Sequence, residues 1–169
     1  MEYESLVAQG LLEDARVELL LGAVIDVSPQ GPRHADVVQQ LGEWLIRSLP
    51  AGNRVRIQSP LALSDDSEPE PDIAVVLDGY YRARHPDRAV LVIEVAESSL
   101  QKDRGIKTGL YAIAGIPEFW IVNLQESVVE VHRRPSAGRY SEVERVDAAG
   151  QLTPSAFPTV RIPASQILS

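Results

Sequence analysis

Ala89-Val-Leu-Val-Ile-Glu-Val-Ala96 decides the reading of this chain, because it sets a carboxylate inside what otherwise has the composition of a fully buried strand. An ionised side chain removed from water without a partner costs several kcal/mol. Glu94 must therefore be paired, hydrogen-bonded, protonated or bound to a cation.

Working outward, Ile73 to Leu77 is a short β-branched run opened by Pro71-Asp72, a placement of proline that suits the start of a strand or an edge. The loop Asp78 to Arg88 returns the chain to the focal strand. An antiparallel pairing with Leu77 opposite Val90 sets Asp72 opposite Val95, beside Glu94, and brings two carboxylates within reach of one ion. After the focal strand, Ser98 and Gln101 have the spacing of a capping box, and the spacing predicts a helix running to about Ala114. Ile106, Leu110 and Ile113 form its expected apolar stripe. Asp103, Lys107 and Tyr111 recur at four-residue steps on a neighbouring face, and Gly115-Ile116-Pro117 ends the helix.

Toward the N-terminus, residues 2 to 12 read as a short helix with Tyr3, Leu6, Val7, Leu11 and Leu12 on one face. Arg16–Leu20 and Ala23–Val27 follow as a hairpin turned at Leu21-Gly22. The apolar positions Val37, Val38, Leu41, Trp44, Leu45 and Leu49 predict a helix over 34–49, ended by Pro50-Ala51-Gly52-Asn53. Val55 to Leu63 alternates as a strand and leads into an acidic loop, Ser64 to Glu70. Downstream, strands are expected over 119–124, 128–133 and near 140–146, and then an irregular proline-containing tail closing over an edge.

The totals set bounds. At 169 residues the length suits one domain over residues 1–169. With no cysteine, thiolate metal sites and cysteine nucleophiles are excluded, so any metal must sit on oxygen or imidazole. No apolar run approaches a membrane span and the first residues lack a signal-peptide pattern, so a cytoplasmic protein without membrane attachment is expected. The formal charge of -8 and a pI near 4.9 argue against a general grip on phosphate backbones. Carboxylates gathered to bind cations contribute to that same sum.

Asp72, Glu94 and Lys107 are the residues whose types fit one chemistry. Two carboxylates on adjoining strands suit Mg²⁺ or Mn²⁺ with water completing the shell. A lysine beside them can orient the attacking water or offset charge as a phosphodiester is hydrolysed. Each also has a plainer reading: Asp72 as a turn former, Glu94 in a structural ion pair, Asp103 and Lys107 as a helix surface pair. His34 reads equally as a cap, Glu18 as a solvent-facing strand residue, and Tyr111 and Trp120 as core.

Taken together, Glu18-Leu19 with Gly22, Ser28-Pro29, His34, Pro71-Asp72, Val92-Ile93-Glu94-Val95 and the string Asp103, Lys107, Tyr111, Gly115-Ile116-Pro117-Glu118, Trp120 resemble the Uma-two family. That is a large bacterial group placed among the restriction-endonuclease-like PD-(D/E)XK nucleases. The resemblance covers roughly residues 16 to 133. It implies an α/β (α+β) fold, a mixed central sheet flanked by helices, with an N-terminal helix and β-hairpin. It also implies a Mg²⁺-dependent endonuclease acting on nucleic acid, DNA before RNA, and it allows a homodimer. Asp72 then matches the motif's aspartate and Glu94 its acidic residue, the two metal ligands. The lysine expected two residues after the acid is replaced by Ala96, and Lys107 on the following helix is the residue able to fill its role. Glu18, His34, Asp103 and Tyr111 become secondary members of the pocket. Leu21 and Glu97 depart from the family's pattern, and Glu97 adds negative charge near the site. The alternative is a non-catalytic binding or regulatory module on the same fold, which the net charge favours. A sugar or phosphate-monoester hydrolase is a third class, for which no sugar-stacking aromatic cleft is evident.

Overall fold

The computed structural model describes residues 2–11 and 16–168. Its centre is a six-stranded mixed sheet made of β3 (Asn53–Ile57), β4 (Ile73–Leu77), β5 (Leu91–Ala96), β6 (Glu118–Asn123), β7 (Val128–Ser136) and β8 (Arg139–Asp147), in that spatial order. Only the β5–β6 pair is parallel. Its crossover is the helical segment 100–113, as a parallel connection requires. The expected α/β class with a mixed sheet flanked by helices is the architecture observed.

Alternation along β4 and β5 separates two apolar clusters. Ile73, Val75, Leu91, Ile93 and Val95 pack with Val37, Val38, Leu41 and Leu45 of α2 (Pro32–Ser48), whereas Ala74, Val76, Val92 and Ala96 pack with Tyr111, Ala112 and Phe119 on the other face. The C-terminal segment adds Leu152, Phe157, Val160, Ile162 and Ile167 to the α2 side. It therefore covers a face of the sheet, where the sequence suggested an edge. It does so through two short strands, β9 (Gln151–Leu152) and β10 (Ile162–Pro163), and a final turn of helix. A buried carboxylate holds it down: Glu118 accepts hydrogen bonds from Trp120 Nε1 and from the Ser155 amide.

The hairpin of β1 (Val17–Leu20) and β2 (Ala23–Asp26) turns at Leu21 and Gly22, both at positive φ, the pairing that a two-residue type I′ turn demands. It docks on the acidic loop: the Glu68 amide donates to the Leu19 carbonyl and the Gly22 amide to that of Asp66. The first helix, Glu2–Ala8, is shorter than expected, with Gly10 at positive φ beyond it. Val7 and Leu11 are exposed, so the predicted apolar face is not buried as a unit. Leu12 lies outside the described residues.

Three further expectations are corrected. β3 stops at Ile57, because Gln58 takes a positive φ and Pro60 follows two residues on; the run to Leu63 is a loop. The β4–β5 register is shifted by one residue. Ile73 pairs with Ile93, Ala74 with Val92 and Val75 with Leu91, which carries Asp72 opposite Glu94 instead of Val95. The expected register would have set Ile73, which faces α2, against Glu94 on the opposite face. A one-residue slip exchanges the two faces of a strand, so the apolar pattern decides it.

The helix after β5 is also not continuous. α3 (Leu100–Lys102) and α4 (Thr108–Ile113) flank a π-helical turn, Asp103–Lys107. There the Asp103 carbonyl receives both the amide and the hydroxyl of Thr108. No Ser98 capping box forms, and Ser99 Oγ instead donates to Asp103 Oδ2 at 2.6 Å. Ile106 and Ile113 of the expected apolar stripe are 42% and 71% exposed, while Asp103, Lys107 and Tyr111 are buried. The polar stripe faces the core because it finds partners there. Among the described residues no helix is long and apolar enough to cross a membrane.

Candidate active site

Five elements converge on one cleft of about 220 Å³, lined among others by Glu18, His34, Asp72, Glu94, Asp103 and Lys107. Glu94 comes from β5 and is 4% exposed. Its Oε1 accepts two hydrogen bonds, from Lys107 Nζ at 2.9 Å and from the Tyr111 hydroxyl at 2.7 Å. Its Oε2 accepts none from the described residues, leaving a lone carboxylate oxygen for a ligand. Asp72 stands immediately before β4. Its Oδ2 accepts from the Val95 amide at 2.8 Å and its Oδ1 lies 2.9 Å from His34 Nε2. Gln58 Nε2 approaches the same Oδ1 at 3.5 Å.

Lys107 bridges the two halves of the cleft. Besides Glu94, its ammonium donates to Glu18 Oε1 at 2.8 Å, and Glu18 is fixed further by the Glu70 amide at 2.9 Å and by Lys102 Nζ at 3.2 Å. Glu18 is thus an anchor 1% exposed and not a solvent-facing strand residue. Asp103 and Lys107, at the two ends of the π-helical turn, are both buried; such turns recur at functional sites.

Electrostatics follow from this geometry. Burial pushes the Glu94 carboxyl up to about 8, against the pull of Lys107 and with help from Asp103, Asp72 and Glu18. Burial alone would lower the Lys107 ammonium, but Glu94, Glu18 and Asp103 outweigh it and hold it above its usual value. Glu18 goes the other way: burial would raise it, but Lys107, Lys102 and the Glu70 amide outweigh burial and lower it from its ordinary value. Burial raises Asp103 despite Lys107 and Ser99. Burial, with Glu94 next, raises the Tyr111 phenol well above its usual value, so it stays a donor. The cleft therefore holds a charged lysine balanced by Glu18, and a proton on Glu94 that a cation could displace.

All seven residues singled out in the sequence meet here. Lys102, Gln58 and Ser99 also belong to the cleft and were not singled out. Lys102 carried a weak signal, falling one helical turn and a residue before Lys107, but nothing in the sequence tied it to Glu18. For a hard cation, the available donors are the Asp72 and Glu94 carboxylates. Among the described residues no three His, Cys, Asp or Glu side chains gather as a metal cage. Two carboxylates with open positions suit Mg²⁺ or Mn²⁺, which keep several waters, better than Zn²⁺ or Ca²⁺.

The six-stranded mixed sheet flanked by helices, with Asp72 immediately before β4, Glu94 on β5 and Lys107 on the crossover segment, is a mixed α/β architecture. The chain belongs to the Uma2 family, described as "Putative restriction endonuclease", which it matches over residues 2–165. Among solved structures, it is similar to one described as "a putative nuclease belonging to DUF820" from Anabaena variabilis ATCC 29413. The TM-score is 0.71 and the identity 16%, over 90% of this chain and 89% of that one. At that identity the likeness speaks to fold. No curated protein matches this chain.

Proposed function

We propose that this chain is a Mg²⁺- or Mn²⁺-dependent nuclease that hydrolyses phosphodiester bonds of nucleic acid in the Asp72–Glu94–Lys107 cleft. The observation that carries the reading is the 2.9 Å approach of Lys107 Nζ to Glu94 Oε1, with Asp72 opposite Glu94 on the adjoining strand. It supplies the acid–lysine pair although the position two residues after the acid is Ala96. Membership of a family described as "Putative restriction endonuclease" supports it.

A divalent cation held by Asp72 and Glu94 would polarise a phosphoryl oxygen and lower the pKa of water. The chain's own residues do the rest. His34 and the Val95 amide fix both oxygens of Asp72, and Tyr111 with Lys107 fixes one oxygen of Glu94, so the other oxygen would be available to hold the cation. Lys107 stays protonated on Glu18, so it can orient the attacking water by hydrogen bonding and offset negative charge on the phosphoryl group as that charge builds.

The test is cleavage of single- and double-stranded DNA and RNA by the purified protein with Mg²⁺ or Mn²⁺, beside Asp72→Ala and Glu94→Ala. Metal-dependent cleavage lost in both variants supports the reading. Activity surviving both substitutions overturns the site. Absence of cleavage on every nucleic acid favours a binding module on the same fold, the reading that the charge of -8 supports.

A further inference from the structure

The arginines of this chain are unequally matched. On the β7–β8 side, Arg104, Arg133, Arg134 and Arg145 each face a carboxylate: Glu130, Glu144, Glu142 and Glu126. Around the free edge of β3 the balance differs. Arg56, Arg82, Arg84 and Arg88 have no ion-pair partner among the described residues, and Arg54 has Asp78.

Arg54 and Arg56 stand two residues apart on one face of β3, each guanidinium carbon 5.8 Å from the centre of the Tyr81 ring. Arg56 Nε is buried without a hydrogen-bond partner in the structure. Tyr80, next in line, is 77% exposed, and a shallow groove of about 260 Å³ runs beside Tyr81, lined by Arg82, Arg84 and His85, with Glu68. Two like charges over one ring, with Asp78 the one carboxylate in ion-pair range of them among the described residues, form a surface that an anion would relieve.

The surface is aligned with the cleft. Arg56 pairs with Ala74 across the β3–β4 ladder, so its side chain leaves the sheet on the face of Ala74, and by alternation of Asp72. That is a step of about 7 Å along the strand. Gln58, the next residue toward the cleft on that face, reaches Asp72 Oδ1.

We infer that the β3 edge, with Arg54, Arg56, Tyr80, Tyr81 and the Arg82–Arg84 loop, seats a single-stranded nucleic acid whose scissile phosphate enters the Asp72–Glu94 cleft. The inference rests on the nuclease reading for its last clause only. The open Tyr80 ring can stack a base of any sequence, while Tyr81, half-buried with its hydroxyl on the Leu77 carbonyl, positions the two guanidiniums that hold the backbone, which is how single strands are gripped. A duplex requires a more extended cationic surface than a chain of net charge -8 offers.

Fluorescence anisotropy in EDTA, with a labelled mixed-sequence DNA strand, its RNA counterpart and its DNA duplex as probes, tests this. The wild type binds the single strands more tightly than the duplex. Arg54→Ala/Arg56→Ala weakens single-strand binding at least tenfold and lowers the log–log salt slope by about 1.4, at about 0.7 per phosphate contact. Tyr80→Ala weakens it roughly five- to hundredfold, the range expected for one stacked base. Arg82→Ala/Arg84→Ala lies wholly on an exposed loop, keeps the fold and also weakens binding. Arg139→Ala, on the opposite edge strand, binds as the wild type does. Wild-type affinity in the arginine and tyrosine variants, preference for the duplex, or no single-strand binding overturns the inference. Asp72→Ala separates it from the nuclease reading, since it keeps binding and loses cleavage. Arginine variants that lose binding in a protein that never cleaves sink the nuclease reading and leave the seat standing.

Discussion

Lys107 delivers its ammonium to Glu94 Oε1 from the helix that follows the strand, not from the strand itself, and Glu18 on the N-terminal hairpin holds it there. One lysine thus ties the crossover helix, the central strand and the hairpin together. The position two residues after the acid is taken by Ala96, fully buried in the apolar cluster of Tyr111, Ala112 and Phe119.

Restoring a lysine at that position is therefore expected to harm the protein. Ala96→Lys forces a second cation into the fully buried space beside Tyr111, Ala112 and Phe119 and costs about 3–5 kcal/mol, read by urea denaturation. Stability within 1 kcal/mol of wild type would show that the cluster has room for the side chain.

Glu94 gives the stability a defined pH dependence. Its carboxyl titrates near 4.5 in the unfolded chain and is pushed up to about 8 by burial in the fold. Between these values the native state holds a proton that the unfolded state has released, so stability attributable to this group falls as pH rises and levels off above about 8. Glu94→Gln keeps an acceptor for Tyr111 without the charge, so the melting temperature of the variant gains on that of the wild type from pH 4.5 to 8. A gap that does not change across this window contradicts the assignment.

The same proton must leave before a cation binds. Calorimetric titration with Mn²⁺ should give an apparent affinity that rises about tenfold per pH unit below about 8 and flattens above it, with close to one proton released per ion. A pH-independent affinity would remove Glu94 from the ligand set.

His34 acts through Asp72, which it approaches at 2.9 Å. His34→Ala leaves Asp72 its bond from the Val95 amide, so cation affinity or cleavage should fall about 10- to 100-fold while stability falls by about 1 kcal/mol. His34→Gln, which can still donate to Asp72, should recover most of the loss. A merely structural histidine would show the stability change without the recovery.

Much of the framework was legible because local chemistry and tertiary packing agree in it. Leu21-Gly22 specified the hairpin turn, and the 3.6-residue repeat of Val37, Leu41 and Leu45 specified the long helix. The focal strand was legible from its composition, and Glu94 stood out as an acid among buried residues. Register was less so, because β-branched residues fill both faces of β4 and only the three-dimensional sorting into two clusters distinguishes a one-residue slip. Asp103, Lys107 and Tyr111 could be placed on one face, but which face is buried depends on Glu18, 89 residues from Lys107 in the chain. The π-helical turn left no local signature. Its carbonyl is satisfied by Thr108, a residue common anywhere in a helix.

If Asp72, Glu94 and Lys107 form one catalytic unit, their losses do not add. The decisive measurement is the rate of metal-dependent nucleic-acid cleavage by Asp72→Ala, Glu94→Ala and Lys107→Met, singly and combined. The account predicts that each single variant falls close to the level of the triple variant, as residues acting together do. Cleavage that persists in any single variant near the wild-type rate, or losses that multiply independently, would contradict it.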